Sequence, residues 1–170
     1  MFHLRLPICS IDARTGSLCR KCKQLLQEEK ITDLDVELSS LFVNLEKKYK
    51  DLSSLVFYNS IDLENVAIII VKKEDILLLS KPEIIEEITN KAHKKVRFLE
   101  YTKNAKTLVE KIIEPIPIIN LTTLFLPPFG DKEYKVEIDK KHKNSLPVPE
   151  SLVIEIVSSI LGSSVYIDFV

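Results

Sequence analysis

After residue 32 one order of hydrophobic patterns runs through this chain twice, and that repetition restricts the possible folds more than any other feature. A helix-period stretch is followed by two strand-like runs, two short helix-period stretches and a closing strand. In the first copy these are 33–49, 55–61, 66–71, 74–79, 82–92 and 96–101. In the second they are 105–113, 116–126, 134–139, a short turn near 140–145, 149–161 and 165–170. The expectation is an α+β protein of two tandem αββααβ units, 33–102 and 103–170, preceded by a small cysteine-rich segment, 1–32.

The first copy carries the sharpest local signals. Thr32 suits a helix N-cap, with Asp33 and Asp35 in the first turn that follows. Leu34, Leu38, Leu41, Phe42 and Leu45 then recur at helical spacing and predict a buried stripe. Val66–Val71 is β-branched enough for a central strand. In the second copy, prolines 115, 117, 127 and 128 bracket an apolar run, and Leu126–Asp131 reads as a hairpin loop.

The 170 residues are 45% hydrophobic and 29% charged, ample for folded cores under a charged surface. A formal net charge of −1 gives no global attraction to nucleic acid, so any such contact needs a local basic face. No apolar run is long enough to span a bilayer, and the first residues lack a signal-peptide pattern. These features predict a cytoplasmic protein without membrane partners.

All three cysteines lie within the first 22 residues. Cys19 and Cys22 have the C-x2-C spacing that lets two thiolates face one tetrahedral ion from a tight turn. Asp12 follows Cys9 by three residues, where a second such pair would place its last cysteine. Cys9, Asp12, Cys19 and Cys22 therefore form a candidate structural zinc knuckle, with His3 an alternative fourth ligand. The alternative to a metal site is a knuckle that has lost a ligand and folds by packing alone. Arg14, Arg20, Lys21 and Lys23 surround the segment and are candidate phosphate contacts.

The stretch Val71–Glu87, with Lys94–Tyr101, Leu108–Pro115 and the echo at Tyr134–Lys141, resembles the archaeal NusA-like proteins, which carry two K-homology domains. The segment from Leu6 through Cys22 resembles a metal-binding preface of some relatives. The resemblance implies tandem type II K-homology units in a non-enzymatic, RNA-binding factor of transcription elongation, termination or RNA processing. It also admits another role: a scaffold that docks on RNA polymerase or the ribosome without clamping nucleotides.

K-homology domains grip a nucleotide backbone through a G-x-x-G loop between their two short helices. Its positions fall on Leu79-Ser80-Lys81-Pro82, and on Pro147-Val148-Pro149-Glu150 in the second copy; neither has a glycine. Lys81 remains as one candidate contact. Lys94, Lys95 and Arg97 form a basic patch in the first copy, and Lys140, Lys141 and Lys143 form its counterpart in the second. Nearby acids make a solvated, ion-paired surface the competing reading for each patch. His3, His93 and His142 are scattered, and no phosphate-cradling or dinucleotide glycine motif occurs, so neither catalysis nor a small-molecule substrate is expected.

Overall fold

The computed structural model describes residues 3–170, an α+β protein of seven α-helices and two three-stranded sheets. The chain divides into two compact units, Met1–Tyr101 and Thr102–Val170. No helix among the described residues is long and apolar enough to cross a membrane.

The first unit opens with two short helices, α1 (Ser10–Thr15) and α2 (Arg20–Gln27), before the long helix α3 (Asp33–Lys48). Strands β1 (Phe57–Asp62) and β2 (Val66–Val71) follow, then helices α4 (Lys73–Leu79) and α5 (Pro82–Ala92), then β3 (Lys95–Glu100). β1 and β2 pair antiparallel as a hairpin. The two helices after β2 carry the chain back, so β3 lies parallel to β2; a parallel neighbour requires such a crossover.

Thr32 caps α3 as expected, and Asp35 closes a reciprocal capping box. Leu34, Leu38, Phe42 and Leu45 point into one core with Ala67, Ile69 and Val71 of β2 and Ile84, Ile88 and Ala92 of α5. Phe42 meets Phe57 edge-to-face, ring centroids 5.2 Å apart. Leu41 lies partly buried at the margin of this core.

The N-terminal segment belongs to this same unit. Ile8, Ala13, Cys22 and Ile31 form a second cluster with Val43 of α3, joined at its margin by Leu18, Leu25 and Val36. Arg5 adds an isolated parallel bridge to Val56: its N–H donates to the Leu55 carbonyl and its carbonyl accepts from Phe57 N–H, both 2.9 Å. That bridge covers the start of the β1 edge, which would otherwise present unpaired backbone groups.

The second unit repeats the order: α6 (Ala105–Ile113), β4 (Ile118–Leu126), β5 (Asp131–Ile138), a 3-10 turn (Lys140–His142), α7 (Glu150–Leu161) and β6 (Ser164–Phe169). β4 and β5 pair antiparallel, and β6 lies parallel to β5. The expected hairpin loop joins β4 to β5, where Leu126 pairs Asp131. The 3-10 turn occupies the place that α4 has in the first unit. Val136, Ile138, Val153, Ile156, Val157 and Val165 are buried, as are four residues of α6 from Leu108 to Ile113.

Candidate metal centre

Cys9 and Cys19 occupy equivalent positions, as do Asp12 and Cys22. Cys9 is the N-cap of α1 and Cys19 the N-cap of α2. Asp12 and Cys22 are the third residues of those helices, so each pair faces itself across a first helical turn, as a capping box does. Neither N-cap side chain makes a capping hydrogen bond. The cap carbonyls do the same work in both helices, accepting from Ala13 N–H (3.1 Å) and Lys23 N–H (2.9 Å). α1 stops at Gly16, whose φ of 74° turns the chain left-handed towards Cys19.

This turn brings the two pairs together. The ligand atoms of Cys9, Asp12, Cys19 and Cys22 all lie within 4.8 Å of one another. In a tetrahedral zinc site with Zn–S of about 2.3 Å, sulfurs stand about 3.8 Å apart, so the four donors are close to ligating distance before any ion arrives. Asp12 Oδ2 also accepts the Cys19 backbone N–H at 2.9 Å, tying the second pair to the first. Asp12 and Cys22 are buried, whereas Cys9 and Cys19 are exposed.

The local electrostatics follow from this enclosure. Hydrogen bonds from the Cys22 thiol and then the Cys19 N–H hold the Asp12 carboxyl well below the usual carboxylate range. Burial, and then its bond to Asp12, push the Cys22 thiol up to about 12. Three sulfurs and one carboxylate suit a borderline-soft divalent cation. His3 is not among the converging donors; it lines clefts with Arg5 and Tyr58, and with Ser10 and Arg14.

The basic residues are placed less uniformly. Lys81 pairs with Asp51 at 3.6 Å. Lys94 bonds the Asp62 carboxylate and the Leu63 carbonyl, its side chain only 22% exposed. Lys95 is exposed at the start of β3, and Arg97 lies half-buried opposite Ile68. Lys141 pairs with Asp139 at 2.9 Å, and the Lys143 ammonium stands 5.7 Å from the Phe169 ring centre. Lys140 is exposed. Arg14, Arg20 and Lys21 are exposed around the metal centre.

The inter-helix loop offers little to a phosphate. Ser80 N–H donates to the Ile76 carbonyl at 3.0 Å, Lys81 N–H to Leu78 at 3.4 Å, and Pro82 has no N–H. Leu79 is fully buried in the first core, so a glycine there would cost about 3–5 kcal/mol. In the second unit the corresponding loop ends at Pro149, the N-cap of α7, again with no glycine.

Sequence reasoning did not foresee α1, nor that Arg20, Lys23, Gln24 and Gln27 share one surface of α2. The signal for the latter was present, since these positions follow the i, i+3, i+4, i+7 rhythm of one helix face. Tyr58 and Tyr101, stacked with centroids 4.1 Å apart, were also not anticipated; they are far apart in sequence.

No protein-family model matches the chain, and no curated protein matches it. Among solved structures, the crystal structure of APE1850 is similar in fold. The similarity has a TM-score of 0.55 at 14% identity and covers 74% of this chain and 96% of that one. At that identity the likeness concerns the fold alone.

Proposed function

We propose that this chain is a non-enzymatic, NusA-like RNA-binding factor of the transcription or RNA-processing machinery, built on two K-homology-like units of type II. One observation carries the reading. Both units have a helix, an antiparallel hairpin, a return segment ending in a helix, and a closing strand parallel to the second strand of the hairpin. A module of this order that occurs twice in tandem is suited to contacting an extended polymer at two places.

The metal centre takes zinc in a structural role: three sulfurs and a carboxylate are a zinc-type donor set. With the loop N–H groups engaged, RNA is held by basic side chains, weakly and with strong dependence on salt. Anisotropy titration of a labelled single-stranded RNA at several salt concentrations tests this. Affinity that falls steeply with salt is expected; absent or salt-independent binding removes the reading.

A second reading has its own support. The engaged N–H groups of Ser80 and Lys81, with Lys81 held by Asp51, favour a scaffold that docks on RNA polymerase or the ribosome by protein contacts. A pull-down with and without nuclease separates the two. Partners retained after nuclease support the scaffold, and partners lost with the RNA support direct binding.

A further inference from the structure

Most of the basic side chains in the two K-homology-like patches are already engaged. Lys81, Lys94 and Lys141 carry carboxylate partners, and Lys143 lies over an aromatic ring. A cation that already has a carboxylate gives up part of its attraction to a phosphate. The cations around the metal centre are different. Arg14, Arg20, Lys21 and Lys23 are exposed, and none has an ion-pair partner among the described residues.

From residue 13 to residue 27 the chain contains these four cations and no acid. Arg20, Lys23, Gln24 and Gln27 line one open depression of about 480 Å³ on α2. The next acid along the chain, Glu28, is occupied by Lys30 at 2.7 Å and by the Gln24 amide at 2.7 Å. Three thiolates and a carboxylate exceed a divalent ion by two negative charges, and four cations outweigh them. The surface therefore stays positive with the centre filled, in a chain whose net charge is −1.

We propose that this face of α2, with Lys21 on the same helix and Arg14 on α1, is where the chain docks the phosphate backbone of single-stranded RNA, and that the metal centre holds the surface in shape. The proposal rests on the RNA-binding reading above and places its main contact outside both K-homology-like loops. Arg14 stands on α1 and the other three cations on α2. The donors Cys9, Asp12, Cys19 and Cys22 come from both helices and their N-caps, so an ion held by them would add to the packing of Ala13 and Cys22 in setting the spacing of the cations. Gln27 adds an amide donor for a phosphate oxygen without adding charge.

The test is anisotropy with a labelled 12-nucleotide uridine RNA on the zinc-loaded full chain. Four phosphate contacts on a single strand predict a log–log salt slope of about −3. The variant R14A/R20A/K21A/K23A alters exposed residues alone, and circular dichroism and zinc content check that it folds. It is expected to bind at least about tenfold more weakly, with a slope near zero. The variant K95A/K140A/K143A is expected to bind as the parent does. The reverse pattern overturns this proposal and leaves the RNA-binding reading standing; a parent that does not bind overturns both. Binding of polyglutamate in place of RNA would reassign the surface to an acidic protein partner and overturn the proposal. Chelation should weaken RNA binding and zinc should restore it; unchanged affinity and slope without the ion overturn the metal's part.

Discussion

The Asp35 carboxylate accepts both the backbone N–H and the hydroxyl of Ser60, 25 residues further along the chain. Its other oxygen accepts the Thr32 N–H at 2.8 Å, completing the cap of α3. One buried side chain thus fixes where α3 begins and which residue of β1 lies against it. Asp35 is 1% exposed, so water cannot replace these bonds. Asp35→Ala is expected to cost about 3 kcal/mol, since it removes the cap and strands buried donors. Ser60→Ala should cost about 1 kcal/mol, because the backbone bond survives. Urea unfolding of the three proteins checks the ranking, and equal costs would remove the claim that Asp35 is the hub.

The same residue gives the stability a pH dependence of known sign. Burial outweighs the hydrogen bonds from Ser60 and Thr32 and raises the Asp35 carboxyl above its ordinary value of 3.8. The folded state therefore holds this proton more tightly than the unfolded chain does. That contribution is fully present below the ordinary value and is lost as pH rises through the raised one. The stability difference between the parent and Asp35→Asn is expected to shrink as pH rises from 4 to 7. Denaturant titrations at each pH measure it; a difference that grows would mean the hydrogen bonds outweigh burial.

For the metal centre, one zinc per chain is expected by elemental analysis after gentle purification. Asp12→Cys should keep the ion, since it makes a four-cysteine set on the same first helical turn. Asp12→Ala should lose the ion, because it removes a ligand and the acceptor for Cys19 N–H together. Chelation should lower the melting temperature of the first unit, since Cys22 lies in the cluster that packs the N-terminal segment on α3. Zinc-free protein with an unchanged melting temperature under chelation would show that packing alone holds the segment.

Periodicity made the elements after residue 32 legible because their apolar positions have one consistent side to face. Val66–Val71 is the clearest case: its β-branched run is the central strand of its sheet. α1 was illegible for the opposite reason. Its six residues bury only Asp12 and Ala13, too few to set a period, and its ends are marked by Cys9 and Gly16. Spacing alone left Asp12 and His3 as rival fourth donors, because a chain of letters does not show which side chain a turn brings back. The turn at Gly16 brings Cys19 and Cys22 back to Cys9 and Asp12, and His3 is not in that group. Lys94 illustrates the same limit, since Asp62 is 32 residues away and nothing local announces the pair.

That pair separates a structural cation from a binding one. Lys94 reaches back from the start of β3 to the end of β1, bonding Asp62 and, at 2.9 Å, the Leu63 carbonyl. It therefore closes the turn between β1 and β2, and its side chain is only 22% exposed. Lys94→Ala is expected to cost about 1 kcal/mol in stability, the range of a half-buried, charge-assisted bond. RNA affinity and its salt slope should not change, since a lysine with both its partners inside the fold releases no counterion on binding. Paired unfolding and anisotropy measurements on one preparation decide between the roles. A variant of full stability whose salt slope falls by about 0.7 would instead make Lys94 a phosphate contact.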